Sequence, residues 1–550
     1  MAEVNGALVV ARALRQQGVD AVFGVVGHPV TGVAQAAQRE GIRYYGMRHE
    51  QAAAYAAQAY SYLTGRVAAA LVVSGPGMTN AISGLANAWA NCWPMLLLGG
   101  SSDLALRGRG DFQEAPQVEA ARPWCKWAGQ AERVEQIPRF VADAVRSALY
   151  GRPGPTYLDL PGDVLSGTAE EERVAYPARV LDPPRPLADP EAVRAALDAL
   201  RTAERPLVIV GKGAAWSRAE REVREFVEAT GLPYLPAPMA KGLIPDDHPQ
   251  SAASARSYAL QHADLVFLIG ARLNWIMHFG LPPRFAPDVR VVQLDISADE
   301  IGTNVPAEVA LAGDARAVMG QLLAALRERP WQLGESPWLR ALAEEKERNR
   351  QQVEPMLQDD SVPMGYYRVL REIDEALPRD AIVVSEGSNT MDIGRAVLNN
   401  YLPRHRLDAG TFGTMGVGPG FAIAAQAAHP DKRVVAVEGD SAFGFDGMEV
   451  EVAARYGMPI TFVVVNNNGI GVGVERLDPE RPVPPGALLP GARYEKVMEA
   501  FGGLGFYAET PDQLRAALRE ALAAERPSLI NVPINPRARR KPQPFPWLTR

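Results

Sequence analysis

Three things are scarce in this 550-residue chain, and each absence closes off a class of protein. Only two cysteines occur, Cys92 and Cys125, too few for a disulfide framework and suited to a reducing compartment. No apolar run reaches the roughly 18 residues that a membrane span requires. Basic excess is missing as well. The net charge of −7 gives no global attraction to nucleic acid or to an anionic membrane, so any polyanionic ligand must be met by local basic clusters. The opening MAEVNGALVVARALRQQGV has neither a basic leader nor a cleavage site and reads as an amphipathic helix. The closing WLTR matches no peroxisomal or retention signal. A cytoplasmic enzyme that binds neither nucleic acid nor membrane is the expectation.

What is present is an ordinary globular composition, 47% apolar and 22% charged, in a chain too long for a single core. Short β-branched runs alternate with Ala-rich helical stretches, the signature of α/β architecture with parallel sheets. AVFGVV, IRYYGM, AAALVVSG, PMLLLGG and PTYLDLPGDV form a first unit, expected over 1–170. The Pro-rich segment 175–190 reads as a linker. PLVIVGKG, LPYLPA, DLVFLIGARL and VRVVQLDI form a second unit over 190–335, and the charged helical stretch 336–358 a second linker. AIVVSEG, RLDAG, RVVAVEGD, ITFVVVNNN and SLINVPI form a third over 363–535. The basic, proline-broken tail, 536–550, has no helix or strand period. Its Phe545, Trp547 and Leu548 argue that it lies on the protein rather than in solvent. Three tandem doubly wound parallel-sheet domains plus a tail is the predicted architecture.

The most informative stretch runs from Gly439 to Gly471, GDSAFGFDGMEVEVAARYGMPITFVVVNNNGIG. Asp440 ends one apolar run and Asn467 ends the next, although both are poor strand formers. A right-handed crossover between two parallel strands places both tips on one sheet edge, where ligands of open α/β sheets bind. A carboxylate, an amide oxygen and a nearby carbonyl make a hard oxygen set suited to Mg²⁺ or Ca²⁺, with positions left for phosphate and water. The amides of Ser441 and Ala442 could approach such a phosphate at the following helix start.

Gly-Asp, a crossover helix and Asn-Asn, with Asn467 standing 27 residues after Asp440, resembles the thiamine diphosphate signature of the pyruvate-decarboxylase-like enzymes. The resemblance implies that Asp440, Asn467 and the Gly469 carbonyl hold Mg²⁺, with Ile470 beside the cofactor. It implies that Glu50, in GMRHEQ, hydrogen-bonds the aminopyrimidine and activates the cofactor, with Asn80 of VSGPGMTN nearby. Ser388 and Asn389 of VSEGSNTMD would lie near the diphosphate. Met415 of DAGTFGTMGVGPGF would wedge beneath the bent cofactor, and the Gly413 carbonyl would accept from its amino group. In that family the activating acid and the metal ligands come from different subunits, so at least a homodimer, with a homotetramer favoured, is expected.

Within the family, GDFQEAPQVEAARPWCKWA (110–128) and the tail are similar to the acyl-CoA branch of oxalyl-CoA decarboxylases and 2-hydroxyacyl-CoA lyases, over essentially the whole chain. The implied reaction cleaves a 2-hydroxyacyl-CoA to formyl-CoA and an aldehyde or ketone. Oxalyl-CoA decarboxylation is the alternative. A non-catalytic nucleotide-binding subunit comes third, since such a protein has no need of Glu50, Asp440 and Asn467 together. His28, in VVGHPVTG, and His49 are candidate bases. Gln113 is a neutral amide where oxalyl-CoA decarboxylases tend to carry an acid. Arg537, Arg539, Arg540 and Lys541 could bind the phosphates of coenzyme A and close over the site. The middle-unit turns VIVGKGA, LIGARLN and VVQLDIS suggest an ADP-like site with Lys212, Arg272 and Asp295.

One departure generates a prediction. The relatives carry an aromatic after the asparagines, whereas this chain has Gly471 and Val472. The missing ring leaves room for a branched leaving carbonyl. Cleavage of a branched substrate such as 2-hydroxyisobutyryl-CoA should therefore be detectable beside a straight-chain one, and no turnover of the branched thioester counts against the idea.

Overall fold

Uninterrupted apolar runs such as PMLLLGG and ITFVVVN can be strands only if both sheet faces are covered. They are: Met95–Ser101 and Thr461–Asn466 are buried at every position in the computed structural model, which describes residues 2–542 and Phe545. Trp547 and Leu548 lie outside the described residues. Among the described residues no helix is long and apolar enough to cross a membrane.

Three all-parallel sheets follow one another along the chain, flanked by helices, as the sequence pattern predicts. The first is ordered Arg43–Gly46, Ala21–Gly24, Ala69–Val72, Met95–Ser101, Pro155–Pro161, Trp127–Gln130. The second is ordered Tyr234–Pro236, Pro206–Val210, Leu265–Ile269, Arg290–Asp295, Val309–Ala312. The third is ordered Arg406–Asp408, Ile382–Glu386, Val434–Gly439, Thr461–Asn466, Ser528–Pro533, Leu504–Tyr507. Counted within each sheet, the first and third share the order 2-1-3-4-6-5. Residues 174–189 have no helix or strand, whereas the second connection is the long, largely exposed helix Pro337–Leu357.

The first and third sheets are joined by two helices that occupy equivalent places in them. Glu50–Thr64 follows the edge strand Arg43–Gly46, and Val417–Ala428 follows the edge strand Arg406–Asp408. Each helix is apolar nearly all round, which a surface helix is not. Ala52 to Leu63 are buried in one, and Val417 to Ala427 in the other. They pack against each other through small residues. A Cβ on Gly420 would lie 2.9 Å from the Ala52 carbonyl oxygen, and one on Gly84, from the neighbouring helix Pro76–Asn91, only 2.2 Å from Ala54 Cβ. Aromatic rings fill the flanks: Phe421 lies 6.2 Å from Tyr55 and 5.5 Å from Trp93, and Trp93 stacks on Tyr62 at 4.4 Å.

These approaches predict a contrast. Gly84→Ala forces a methyl into occupied space and should cost about 1–3 kcal/mol, lowering the unfolding midpoint. Gly320→Ala, inside the helix Ala315–Glu328 with nothing within 4 Å, should be neutral or stabilising by up to about 1 kcal/mol. Parallel thermal or urea melts of the two variants check it.

Candidate active site

At the carboxyl edge of the third sheet, the Asp440 and Asn467 tips come together as the crossover argument requires. Gly469 meets both with its N–H, 3.1 Å from Asp440 Oδ2 and 3.2 Å from Asn467 Oδ1. Ser441 N donates to the other Asp440 oxygen at 2.9 Å. Asp440 is buried with no cationic side chain beside it among the described residues, and burial pushes its carboxyl up to about 6. Asn389 Nδ2 and Asn467 Nδ2 both reach the Gly471 carbonyl, at 3.4 and 3.1 Å. The turn after Asn467 depends on glycine, because a Cβ on Gly473 would sit 1.6 Å from the Asn467 carbonyl oxygen.

Gly387 forms the neighbouring wall at φ +94°, where an added Cβ would lie 3.0 Å from Gly439 N. Its backbone opens the helix Ser388–Val397, so Ser388 and Asn389 stand at a helix start beside the Asp440 tip. That is an anion-binding arrangement. Among the described residues no group of three or more His, Cys, Asp or Glu side chains is placed to hold a metal ion. A cation here would have to rely on one carboxylate, an amide, carbonyls and its own anionic ligand. Such oxygen donors fit Mg²⁺ carrying a diphosphate.

The loop after Arg406–Asp408, which contains Gly413 and Met415, is pinned from all three domains. Trp275 Nε1 donates to the Thr411 carbonyl at 2.7 Å, and Tyr55 Oη lies 3.2 Å from Thr414 Oγ1. Asn91 Oδ1 accepts from Thr411 N at 3.2 Å and from Lys212 Nζ at 2.6 Å. Burial, and then Arg272, pushes the Lys212 amine down to about 7. Arg272 donates to the Ala90 carbonyl at 2.7 Å. Asp295 instead pairs with Arg152 at 3.2 Å. The three residues nominated for a nucleotide therefore do not share one partner: two brace the loop and the third binds an arginine of the first domain.

Glu50 begins the helix Glu50–Thr64 and accepts from Asn80 Nδ2 at 3.1 Å. Gly77 leaves it room, since a Cβ there would lie 3.4 Å from Glu50 Oε1. No hydrogen bond joins Glu50 to the Met415 loop among the described residues. His49 is the helix cap, its Nδ1 accepting from Gln51 N at 3.1 Å. This corrects its nomination as a base, because the ring is committed to the backbone. His28 is exposed and its ring stands 6.1 Å from Phe112, next to Gln113. Gln113 Oε1 accepts from Ser74 Oγ at 2.9 Å.

Two charge clusters escaped the sequence reading. Glu386 and Glu438 are register partners on adjacent strands, and with Asp446 and Glu449 they form a buried acidic line. Burial pushes Glu386 to about 7, Asp446 to about 6 and Glu449 to about 8, and Glu438 well above the usual range. Both Glu438 oxygens lack hydrogen-bond partners among the described residues. Glu449 accepts from Arg48 N and His49 N, at 3.0 and 2.9 Å, and so ties the third domain to the start of the Glu50 helix.

The second cluster is cationic. Arg284 is buried and Arg256 half-buried, neither with an ion-pair partner among the described residues, and His278 beside them is pushed down to about 4, first by burial. Arg284 donates to the Phe545 carbonyl at 3.2 Å, so the tail reaches this cluster. The tail's own cations are largely engaged: Arg540 pairs with Asp392 at 2.6 Å, Arg537 with Glu475 at 3.4 Å, and Lys541 reaches Asn349, while Arg539 is exposed. No local motif marks either cluster, because each is assembled by the fold from separate strands, helices and turns.

Comparison with known proteins agrees with this geometry. Residues 4–120 match the family described as "Thiamine pyrophosphate enzyme, N-terminal TPP binding domain", 193–322 the central domain and 386–532 the C-terminal TPP binding domain. The chain is 51% identical to 2-hydroxyacyl-CoA lyase 1 of Homo sapiens, over 100% of this chain and 97% of that protein. It is 44% identical to the 2-hydroxyacyl-CoA lyase of Arabidopsis thaliana, over 97% and 96%. It is 43% identical to the oxalyl-CoA decarboxylase of Escherichia coli K12, over 97% and 95%. None of these likenesses supports the expected ADP.

The Glu449 contact predicts a pH dependence. Its carboxyl is raised in the folded state, so its contribution to stability is full below the ordinary glutamate value of about 4.3 and is lost as pH rises through about 8. The unfolding midpoint of the protein should fall across that window, and Glu449→Gln should flatten the fall. Melts at several pH values measure the slope; an unchanged slope removes Glu449 as its source.

Proposed function

This chain belongs to the thiamine pyrophosphate enzymes, in the family of the 2-hydroxyacyl-CoA lyases, and from that membership we propose that it cleaves the C1–C2 bond of a 2-hydroxyacyl-CoA. The products are formyl-CoA and an aldehyde or ketone. The observation that carries the reading is the convergence of Asp440, Asn467 and Gly469 beside the Ser388 helix start, with a helix-borne Glu50 in the other domain of the pair. Thiamine diphosphate, when bound, supplies a nucleophilic carbon that also takes up the electron pair of the broken bond.

The protein's own groups have definable tasks. Asp440 and Asn467 would hold Mg²⁺ and, through it, the diphosphate; Ser388 and Asn389, at the helix start beside them, would border the same phosphates. Glu50 hydrogen-bonds the pyrimidine end. Among the described residues its side-chain hydrogen-bond partner is Asn80, and the Met415 loop of its own chain does not reach it, so we assign the pyrimidine it serves to a second copy of the chain, which makes a homodimer the smallest working unit. The Gln113 side-chain nitrogen has no hydrogen-bond partner among the described residues and is available to a substrate oxygen. His28, unlike His49, is free to accept the 2-hydroxyl proton as the carbonyl product forms. Arg256 and Arg284, the latter in contact with Phe545 of the tail, offer the positive charge that coenzyme A phosphates require. Gln113 favours this reaction over oxalyl-CoA decarboxylation, because a neutral amide adds no negative charge beside the leaving group.

The test is to supply thiamine diphosphate, Mg²⁺ and a panel of 2-hydroxyacyl-CoAs, with oxalyl-CoA in parallel, and to follow products by mass spectrometry. Formyl-CoA with a matching carbonyl compound is expected. CO₂ from oxalyl-CoA alone would reverse the assignment. Glu50→Gln should lower kcat by about 10²–10⁴-fold. A fully active Glu50→Gln enzyme would sink the reading.

A further inference from the structure

We infer that Gln117, a buried residue assigned no contact with substrate or cofactor, is the positioning residue that sets both Gln113 and Glu50 through one turn. The inference rests on the function proposed above. It begins with an amide that has no freedom to turn over. Gln117 Oε1 accepts from Gly75 N at 2.6 Å. Its Nε2 lies 2.9 Å from the Gly100 carbonyl, 2.9 Å from Tyr157 Oη and 2.8 Å from Asp159 Oδ1. Reversing the amide would put its oxygen against these acceptors and its nitrogen against an N–H. Asp159 is itself buried among neutral donors, accepting from Tyr157 Oη at 2.6 Å, from Ser101 Oγ at 2.7 Å and from Gln130. The network is thus anchored on two central strands of the first sheet, Met95–Ser101 and Pro155–Pro161.

The group it holds is the turn between Ala69–Val72 and the helix Pro76–Asn91. Gly75 adopts φ +57°, ψ −106°, a conformation open to glycine alone. A Cβ there would lie 2.6 Å from the Gln113 carbonyl oxygen and 2.9 Å from Gln113 Cβ, so the turn and the Gln113 backbone are in direct contact. Gln113 is itself at φ +57°, unfavourable for a residue with a side chain, and needs such support. On one side of the turn, buried Ser74 fixes the Gln113 side-chain oxygen, which leaves the NH₂ as the outward group. The site therefore offers a donor to a substrate oxygen and no acceptor. On the other side, Asn80, one helical turn beyond Gly75, holds Glu50. A single interior amide thus sets the substrate-facing donor and the cofactor-facing acid together.

Two variants of the full-length protein, reconstituted with thiamine diphosphate and Mg²⁺, test this. Gln117→Met keeps the volume and abandons the Gly75 N–H. It should lower kcat about tenfold or more with little change in KM for the thioester. Combined with Gln113→Ala it should add less than about threefold, whereas an unrelated packing defect would multiply. Gln117→Glu keeps the acceptor for Gly75 but can donate toward Asp159 only while protonated. Its kcat should approach that of the unaltered protein at low pH and fall as pH rises, at temperatures where melts show the variant still fully folded at every pH. A readout independent of turnover is the near-ultraviolet circular dichroism of the bound coenzyme, which both variants should weaken through Asn80 and Glu50. Failure of the unaltered protein to make formyl-CoA would overturn the function and leave the dichroism to judge Gln117. Multiplicative losses, a pH profile parallel to that of the unaltered protein, or unchanged dichroism would overturn the positioning role.

Discussion

The contact on which the rest of the molecule depends is the close approach of two helices rich in small residues. Glu50–Thr64 and Val417–Ala428 can touch backbone to backbone only because Gly420 faces the Ala52 carbonyl, and Gly84 opens the way for Ala54 from behind. Burying each helix on all sides is what makes the interface strong, since both would otherwise expose apolar stripes to water. The same contact dictates chemistry. The first residue of one helix is Glu50, and the loop before the other carries Gly413 and Met415, so a packing decision becomes a decision about where the functional groups stand.

Charge is distributed on the same plan. An uncompensated buried ion costs several kcal/mol, and folds avoid it unless something is gained. Here both signs are left unpaired. The acids Glu386, Glu438, Asp446 and Glu449 line the join between the first and third domains, and Arg256 and Arg284 sit under the tail. Burial pushes the acids' carboxyls upward, toward the uncharged form that a low-dielectric interior tolerates. The arginines have no such escape and keep an open demand for an anion.

Much of this was legible in residue order alone, for definable reasons. Asp440 and Asn467 interrupt apolar runs they should not interrupt, and a parallel crossover leaves only one place for their tips. Glu50 stood out through the short GMRHEQ pattern. The three sheets followed from continuous β-branched runs, a local signal. His49 misled because its type suggested proton transfer, whereas its position just before a helix made it a cap. The tail misled in a related way, because a run of arginines reads as free positive charge until Asp392 and Glu475 are found against it. The acidic line and the Arg256–Arg284 pair were invisible, since neither follows a helix or strand period and each is assembled only when separate elements pack together. Gln117 is not legible in the sequence, because nothing in a glutamine's neighbours along the chain reveals that its hydrogen bonds run elsewhere.

The bond from His49 N to Glu449 spans 400 residues of chain. A ribosome adding about 5–20 residues per second needs roughly 20–80 s to supply the second end after the first has emerged. Throughout that interval the alanine-rich helix beginning at Glu50 has its own sheet on one side and nothing on the other. The nascent first domain must therefore wait with a greasy flank uncovered, which makes the unfinished polypeptide, more than the finished enzyme, the natural client for a chaperone.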